Sequence, residues 1–145
     1  MLQAPRRTRY KKSHKLRIKK INYSKGGSKF IHGNIGIKAL KACRLAFRPI
    51  EAGRRIITRK LKKKSRIWIR PFPHTPLTKK PDEMRMGKGK GAVHSWIHRL
   101  KGGEILFEVN GTPERDITST LQNAGKKLPV PSVVLERREP RHKKK

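Results

Sequence analysis

The sequence has few acidic residues, one cysteine and no long apolar run. It contains 9 Asp plus Glu against 40 Lys plus Arg, and the first acid along the chain is Glu51. Cys43 stands alone, which excludes an intrachain disulfide and gives no sign of an oxidising compartment. No apolar segment approaches the roughly 18–20 residues that span a bilayer, so we predict no membrane partner.

The remaining composition is dominated by positive charge. A formal net charge of +31 over 145 residues opposes compaction by self-repulsion, so an anionic partner is expected, and nucleic acid fits best. The length suits one compact domain. We divide the chain into a basic arm and linker (1–29), a domain (30–136) with a long loop (73–92), and a basic tail (137–145). The arm lacks the apolar region of a secretory signal, so we expect it to stay in the mature protein and to order on a polyanion.

Apolar periodicity predicts an α+β fold, an antiparallel sheet with two helices packed on it. The first helix is expected over 49–65, with Pro49 at its first position and Glu51 in its first turn. The second is expected to be capped by Thr112, with Pro113 as its first residue. The positions with helical spacing are Ile50, Gly53, Ile57 and Leu61 in the first helix and Ile117, Leu121, Ala124 and Leu128 in the second.

Strands are predicted from alternation and from short apolar runs. Two short strands are expected between Phe30 and Phe47, and further strands at 66–72, 93–100, 104–109 and 130–135. Residues 24–36 are rich in Gly and Ser and indicate a flexible join. The prolines between 71 and 81 predict a segment without regular structure up to the loop tip.

The tip of the long loop, RMGKGKG, combines glycines with cations. Glycines allow close approach of the main chain and lysines neutralise phosphates, so contact with a nucleic-acid backbone is the preferred interpretation. A nucleotide-hydrolysing phosphate loop requires G-x-x-x-x-G-K-[ST] before a helix, whereas Ala92 and a predicted strand follow here. A merely solvated loop remains the alternative. The tip residues are Arg85, Met86, Gly87, Lys88, Gly89, Lys90 and Gly91.

Other side chains give no sign of catalysis or metal binding. His94 and His98 share a strand on which their positions lie roughly 13 Å apart, too far to share an ion. The acids are scattered and do not form a converging set. We therefore predict no catalytic residue, metal, cofactor or small-molecule substrate. Trp68 and Trp96 are interpreted as core or edge packing, with stacking of Trp68 on an RNA base as the alternative.

Several segments together resemble one known family. IEAGRRIITR (50–59), KKKSRIWIRPFP (62–73), LTKKP (77–81) and RMGKGKG (85–91) are similar to signature segments of the bacterial-type ribosomal protein L-sixteen family. The opening MLQAPRRTRYKKSHK resembles that family's amino terminus, and the region from FEVNG to KKLP its carboxy-terminal half. The resemblance covers about residues 1–135 and is weakest over 18–32.

The resemblance implies an α/β-hammerhead-like fold and a component of the large ribosomal subunit, held by 23S-type rRNA beside neighbouring ribosomal proteins. It also implies that the loop reaches toward the peptidyl-transferase centre and contacts A- and P-site tRNA. Peptide-bond chemistry would belong to RNA, so no enzyme is expected. The residues expected to bind rRNA are Arg6, Arg7, Arg9, Lys11, Lys12, Lys15, Arg17, Arg54, Arg55, Arg59, Lys62, Lys63, Lys64 and Arg70.

The chain departs from the family pattern at a few places. His74 stands where an acid is usual and Pro71 where an aliphatic residue is common, so the base of the loop is expected to run differently. The many lysines and isoleucines, the divergent linker and the lack of an evident presequence favour an organellar copy, in a mitochondrion, with a plastid or the bacterial cytoplasm as alternatives. The basic tail is longer than the usual bacterial end and is expected to bind additional RNA or a lineage-specific protein. The rival function is that of a non-specific nucleic-acid-binding protein, an RNA chaperone or a DNA-compacting protein, for which charge alone would suffice.

Overall fold

The computed structural model describes residues 3–14, 23–62, 65–111 and 114–137, which form an α+β fold. The predicted fold class is confirmed. In chain order the elements are β1 (Ile35–Ala39), β2 (Cys43–Ala46), α1 (Phe47–Leu61), β3 (Ser65–Ile69), β4 (Thr75–Lys79), β5 (Ala92–Leu100), β6 (Ile105–Gly111), α2 (Glu114–Gly125) and β7 (Ser132–Glu136).

The strands pair in antiparallel fashion but belong to two sheets, where the sequence indicated one. One sheet has the order β3-β6-β1-β7 and the other the order β2-β5-β4. Strands β5 and β6 are consecutive along the chain, yet they lie in different sheets. Gly102 forms a bridge with Tyr23 between them, and Gly103 has a φ of +81°, so the chain turns away from one sheet and enters the other.

Helix α1 begins earlier and ends earlier than predicted. Its first residue is Phe47, so Pro49 is the third helical residue, where a missing N–H costs little because the first turn has no intrahelical acceptors. Glu51 consequently lies beyond the first turn and not within it. The helix ends at Leu61, and the N–H of Lys62 (φ +49°) bonds to the carbonyl oxygen of Thr58.

The two helices pack against each other and against the four-stranded sheet. The predicted apolar positions that lie within α1 and α2 are all buried, which confirms a buried stripe on each helix. Leu128 is also buried, but it lies after α2 ends at Gly125 and is not part of the helix. Gly53 allows α1 to approach the sheet, because a Cβ there would lie 3.1 Å from the ring of the fully buried Phe107. Thr112 and Pro113, the predicted start of α2, lie outside the described residues. Within the described ranges, no helix has the length and apolar character needed to cross a membrane.

The proline-rich segment contains a strand that the sequence did not predict. Strand β4 pairs with β5, and Pro76 stands opposite Trp96. Since β4 is an edge strand, its outer side needs no partner, and an edge strand tolerates a proline that lacks a backbone donor. Irregular structure is therefore found at residues 70–74, before β4, and at residues 80–91, between β4 and β5.

The segment before β1 is bound to the domain and is not a free join. The N–H of Ser24 bonds to the oxygen of Gly102 at 2.8 Å, and the N–H of Ile105 to the oxygen of Gly27 at 2.9 Å. The N–H of Asn34 bonds to the oxygen of Val109. The glycines therefore allow close contact with β6, and the prediction of a flexible linker is wrong for this segment.

Candidate nucleic-acid interface

The glycine-lysine loop extends from the hairpin formed by β4 and β5. Both strands belong to the three-stranded sheet. The predicted strand VHSWIHRL lies in β5 and anchors the loop on one side, whereas the strand on the other side is β4 and not RIWIR, which lies in the four-stranded sheet. Residues 81–90 are all exposed, and Met86 at the tip is 99% exposed. The hairpin therefore presents a segment of about ten residues to solvent without burying any of it.

The loop glycines have two different roles. Gly87 and Gly89 have φ values of +87° and +78°, and Lys88 between them has +54°, so three consecutive residues are left-handed. A Cβ at Gly87 or Gly89 would meet nothing within 4 Å, so conformation and not space favours glycine there. Gly91 differs, because its Cβ would lie 2.6 Å from the carbonyl oxygen of Lys79 at the base of the hairpin.

The N-terminal arm contacts this loop. Lys12 Nζ donates to the carbonyl oxygen of Lys90 at 2.6 Å, and Lys90 Nζ donates to the carbonyl oxygen of Ser13. Lys80 Nζ donates to the carbonyl oxygen of Gly87 across the loop. Carbonyl oxygens are neutral acceptors, so these bonds fix the lysines without cancelling their charge. Arm and loop thus form one cationic surface.

Two acids, Asp82 and Glu83, lie at the start of the loop, whereas its tip, residues 85–91, contains none. Within the part of the chain that the structure describes, the ion pair at this loop joins Lys79 to Asp82 at 3.3 Å, and Asp82 is highly exposed. Arg85 and Lys88 lie beyond it and are exposed. An uncompensated cationic tip with exposed main-chain groups is suited to phosphates.

The described cations of the arm are also exposed. Residues 3–14 run beside β4 and β5, and arm residues Arg7 and Ser13 line a cleft together with His74 and Arg99. Lys15 and Arg17 lie outside the described residues, as do Lys63, Lys64 and the tail beyond Arg137. The exposed arm residues from the predicted rRNA-binding set are Arg6, Arg7, Arg9, Lys11 and Lys12.

Helix α1 carries both compensated and free cations. Glu51 bonds to Arg54 at 2.5 Å and to Arg55 at 3.2 Å. The bond from Arg54 lowers the pKa of Glu51 to about 2 despite some desolvation, with a further bond from Arg55. Arg59 and Lys62 are exposed at the end of the helix. Arg59, Lys60 and Lys62 therefore form a group of exposed cations at the C-terminal end of α1.

Arg70 has a different environment from the other predicted rRNA-binding residues. Its guanidinium Nη1 is 2.6 Å from Oε1 of Glu108 and also donates to the carbonyl oxygen of Lys29 at 2.7 Å. Glu108 is fully buried, and its Oε2 accepts the backbone N–H groups of residues 31–33. Arg70 thus balances a buried carboxylate within the protein, which leaves its guanidinium little freedom to bind RNA.

The pKa values of buried Glu108 and half-buried Glu104 are lowered by the groups that donate hydrogen bonds to their carboxylates. Burial opposes ionisation of Glu108, but the N–H groups of Gly33 and His32, with Arg70, lower its pKa below the ordinary value. Glu104 behaves similarly: burial raises its pKa, whereas His98 and the N–H of Lys101 lower it, and the net shift is downward. The sequence placed these acids on a strand without indicating partners, because the partners come from distant segments.

The aromatic residues divide into core and edge. Phe107 is fully buried, while Trp68 on edge strand β3 and Trp96 on β5 are half-buried, in agreement with the predicted core or edge packing. The ring of His32 stacks on Trp68 with centroids 5.6 Å apart and planes at 17°. Nothing in the sequence indicated this pair, since His32 lies in the glycine-rich segment.

The histidines of β5 do not form a cluster that could hold a metal. His98 Nε2 lies 2.8 Å from Oε1 of Glu104, and the ring of His74 meets His98 edge-on at 5.8 Å. His94 is exposed. Among the described residues, no group of three or more potential metal ligands comes together. His74 also lies 3.0 Å through Nδ1 from the carbonyl oxygen of Phe72, at the base of the loop.

Comparison with known proteins shows the family to which the chain belongs. The family described as "Ribosomal protein L16p/L10e" matches residues 5–135. The "Large ribosomal subunit protein uL16" of Erythrobacter litoralis is 48% identical over 137 residues, covering 94% of this chain and 93% of that protein. The proteins of the same name from Maricaulis maris and Rhodospirillum rubrum are 47% and 42% identical, over 94% and 92% of this chain and 98% and 96% of their own lengths. These matches define the class as ribosomal proteins. The chain belongs to the ribosomal protein L16p/L10e family.

Proposed function

We propose that this protein is a structural, non-catalytic component of the large ribosomal subunit that binds rRNA and contacts tRNA through its glycine-lysine loop. The relatives named above are large-subunit proteins and match over nearly their whole length. The observation that carries the proposal is the loop itself: it is exposed over residues 81–90, left-handed at Gly87, Lys88 and Gly89, and without acids over its tip, residues 85–91.

The proposal assigns rRNA to the arm and to the end of α1. The exposed cations of residues 6–12 and of Arg59 and Lys62 require no refolding to meet phosphates. Lys15, Arg17, Lys63 and Lys64 remain predictions. Arg70 is left out of this surface because Glu108 holds it. Neighbouring ribosomal proteins are further partners under this proposal.

We assign tRNA to the loop because one end of the loop contacts the arm while its tip stays exposed. Arm residues Lys12 and Ser13 contact Lys90 at the end of the loop, so rRNA bound to the arm would support the loop from one side. The tip with Arg85 and Lys88 then remains free to meet a second polyanion. A positively charged tip on a supported hairpin can position an RNA without reading its sequence.

A first experiment measures the salt dependence of binding to large-subunit rRNA. Each phosphate neutralised by the protein contributes about 0.7 to 0.9 to the log-log slope of affinity against salt. The cationic surface described above comprises arm, helix end and loop, so we expect a steep slope. A shallow slope in a filter-binding titration would contradict the proposal.

A second experiment separates the loop from the arm. We expect the double variant Lys88→Ala with Lys90→Ala to enter the large subunit and to weaken tRNA binding to the assembled ribosome, with the salt slope reduced by about one unit per lysine. Lys88→Ala alone tests the tip, because Lys90 also contacts Ser13. The matched control is Lys126→Ala with Lys127→Ala, two exposed lysines after α2. Lost incorporation with unchanged tRNA affinity would assign the loop to assembly.

The rival function is non-specific nucleic-acid binding. A chaperone or DNA-compacting protein would bind RNA irrespective of tertiary structure and would leave the ribosome as salt rises. We expect the native protein to sediment with the large subunit and to stay there at moderate salt. Release under those conditions, together with equal affinity for duplex DNA, would favour the rival.

The cellular compartment of the ribosome that contains this protein is tested separately. The relatives described above are bacterial and give no support to a mitochondrial location, which stays a prediction from the sequence. Detection of the protein in ribosomes from purified mitochondria of the source cell would confirm it, whereas detection only in cytoplasmic ribosomes of a bacterium would refute it.

A further inference from the structure

A second feature of the surface lies away from the loop, where His32 stacks on Trp68. The two rings are nearly parallel, with planes at 17° and centroids 5.6 Å apart. His32 is exposed, and Trp68 is half-buried on β3 at the edge of the four-stranded sheet. An exposed ring resting on a second ring offers a flat surface to a third.

The backbone beneath His32 is held firmly. Glu108 Oε2 accepts N–H bonds from Ile31 at 3.2 Å, His32 at 2.7 Å and Gly33 at 2.9 Å. Gly33 lies so close to β6 that a Cβ would approach the backbone nitrogen of Val109 to 2.8 Å. The position of the imidazole is therefore set before any ligand arrives, which lowers the entropic cost of stacking.

The stacked pair borders an open cleft of about 600 Å³. Its walls are mainly apolar or aromatic and include Pro71 and Phe72. Arg66 is exposed two residues before Trp68 on the same strand, where alternation places its side chain on the same face. A flat aromatic floor beside an exposed cation matches a base with its attached phosphate.

We propose that His32 and Trp68 form a binding site for one unpaired nucleobase of RNA, which stacks on the imidazole while Arg66 faces its phosphate. This inference rests on the proposed function, since the base belongs to a bound RNA. The loop and the arm are proposed to bind the phosphates of the RNA backbone, whereas the site at His32 and Trp68 is proposed to bind a nucleobase. A peptide segment of a neighbouring protein is the other occupant that the experiment must distinguish.

The test uses the full chain with Trp96→Phe, which leaves Trp68 as the single tryptophan. The probes are an oligoadenylate of about ten nucleotides, within the usual length covered by single-strand-binding sites, and an abasic oligomer of equal length and charge. We expect the oligoadenylate to quench Trp68 fluorescence and to bind about fivefold or more tighter than the abasic oligomer.

Variants of His32 test whether the preference for the oligoadenylate depends on the stacked pair of His32 and Trp68. His32→Ala is expected to remove the preference for the oligoadenylate, whereas His32→Phe keeps a ring and should retain it. His94→Ala, at another exposed histidine, is the matched control and should change nothing. Far-UV circular dichroism shows whether each variant is folded.

The outcomes separate the two proposals. Equal affinity for both probes, with binding intact, would overturn the base site and leave the proposed RNA binding standing. An unchanged preference in His32→Ala would also overturn it and would leave the cleft to a peptide. Failure of both probes to bind at moderate salt would overturn the proposed function and this inference with it.

Discussion

The two sheets of this protein differ in the environment of their charged residues. In the four-stranded sheet, Glu108 is fully buried, and its oxygens accept bonds from Arg70 and from the backbone N–H groups of residues 31–33. In the three-stranded sheet, the β4–β5 hairpin extends into a loop whose cations are exposed, with Lys79–Asp82 as a surface pair. Buried charge must be balanced inside the fold, whereas exposed charge can await a partner. The first sheet is therefore a scaffold and the second carries the surface to which we assign RNA.

The largest effect on stability is expected when the buried carboxylate of Glu108 in the four-stranded sheet is removed. Glu108→Ala leaves the Arg70 guanidinium and three N–H groups without their acceptor, so we expect the free energy of unfolding to fall by about 3–5 kcal/mol. Glu108→Gln keeps an acceptor and should cost less. Urea denaturation followed by circular dichroism measures both.

The control for this change is Asp82→Ala in the exposed pair with Lys79. A surface ion pair is worth about 0–1 kcal/mol, so the unfolding curve should hardly move. Equal losses for Glu108→Ala and Asp82→Ala would show that the contrast between the two sheets is not energetic.

A smaller effect is expected at the base of the hairpin. Gly91→Ala would bring a Cβ to 2.6 Å from the carbonyl oxygen of Lys79, and overpacking of this kind costs about 1–3 kcal/mol. We expect amide hydrogen exchange to accelerate in β4 and β5. Gly87→Ala meets no atom within 4 Å and should only strain the tip. Equal exchange in β4 for both variants would refute the separate roles of these glycines.

The pH dependence of stability gives a finer comparison. The pKa values of Glu104 and Glu108 are lowered in the folded protein, and that of Glu51 falls from 4.5 to about 2. The folded state therefore binds fewer protons than the unfolded state below pH 4.5. Their stabilisation is complete above that pH and is lost as the pH falls through the folded pKa values.

We expect the urea midpoint to be nearly constant from neutral pH to about pH 5 and to fall steeply on further acidification. Glu51→Gln should make that fall shallower between pH 4.5 and about 2. A fall of the same steepness in Glu51→Gln would mean that Arg54 and Arg55 do not stabilise the carboxylate in solution.

The smallest effect is expected where the arm meets the loop. Lys12→Ala removes an exposed bond to the carbonyl oxygen of Lys90 and should change stability by about 0.5 kcal/mol or less. The loop should nevertheless be cut faster by trypsin at Arg85 and Lys88. Lys11→Ala, its exposed neighbour, is the control. Equal cleavage rates in the two variants would show that the arm does not support the loop.

Local sequence patterns predicted that two helices form and which of their faces are apolar, although not where α1 begins and ends. The apolar stripes of α1 and α2 are buried as predicted because helical spacing alone defines which residues share a face. The net charge of +31 indicated a polyanion because composition determines the overall field. The segments in KKKSRIWIRPFP and RMGKGKG also identified the family, which the match over residues 5–135 confirms.

What the sequence left open was decided by contacts between distant segments. Pro76 lies in a strand because the tertiary structure places β4 at the edge of a sheet. Strands β5 and β6 belong to different sheets because the chain turns at Gly102 and Gly103. The pairing of Arg70 with Glu108 and the stacking of His32 on Trp68 likewise join residues far apart in the chain. Local periodicity indicates which face of a helix or strand is apolar, but it does not indicate which other element packs on that face. Only the packed fold determines whether a cation pairs with a carboxylate inside the protein or stays exposed to bind RNA.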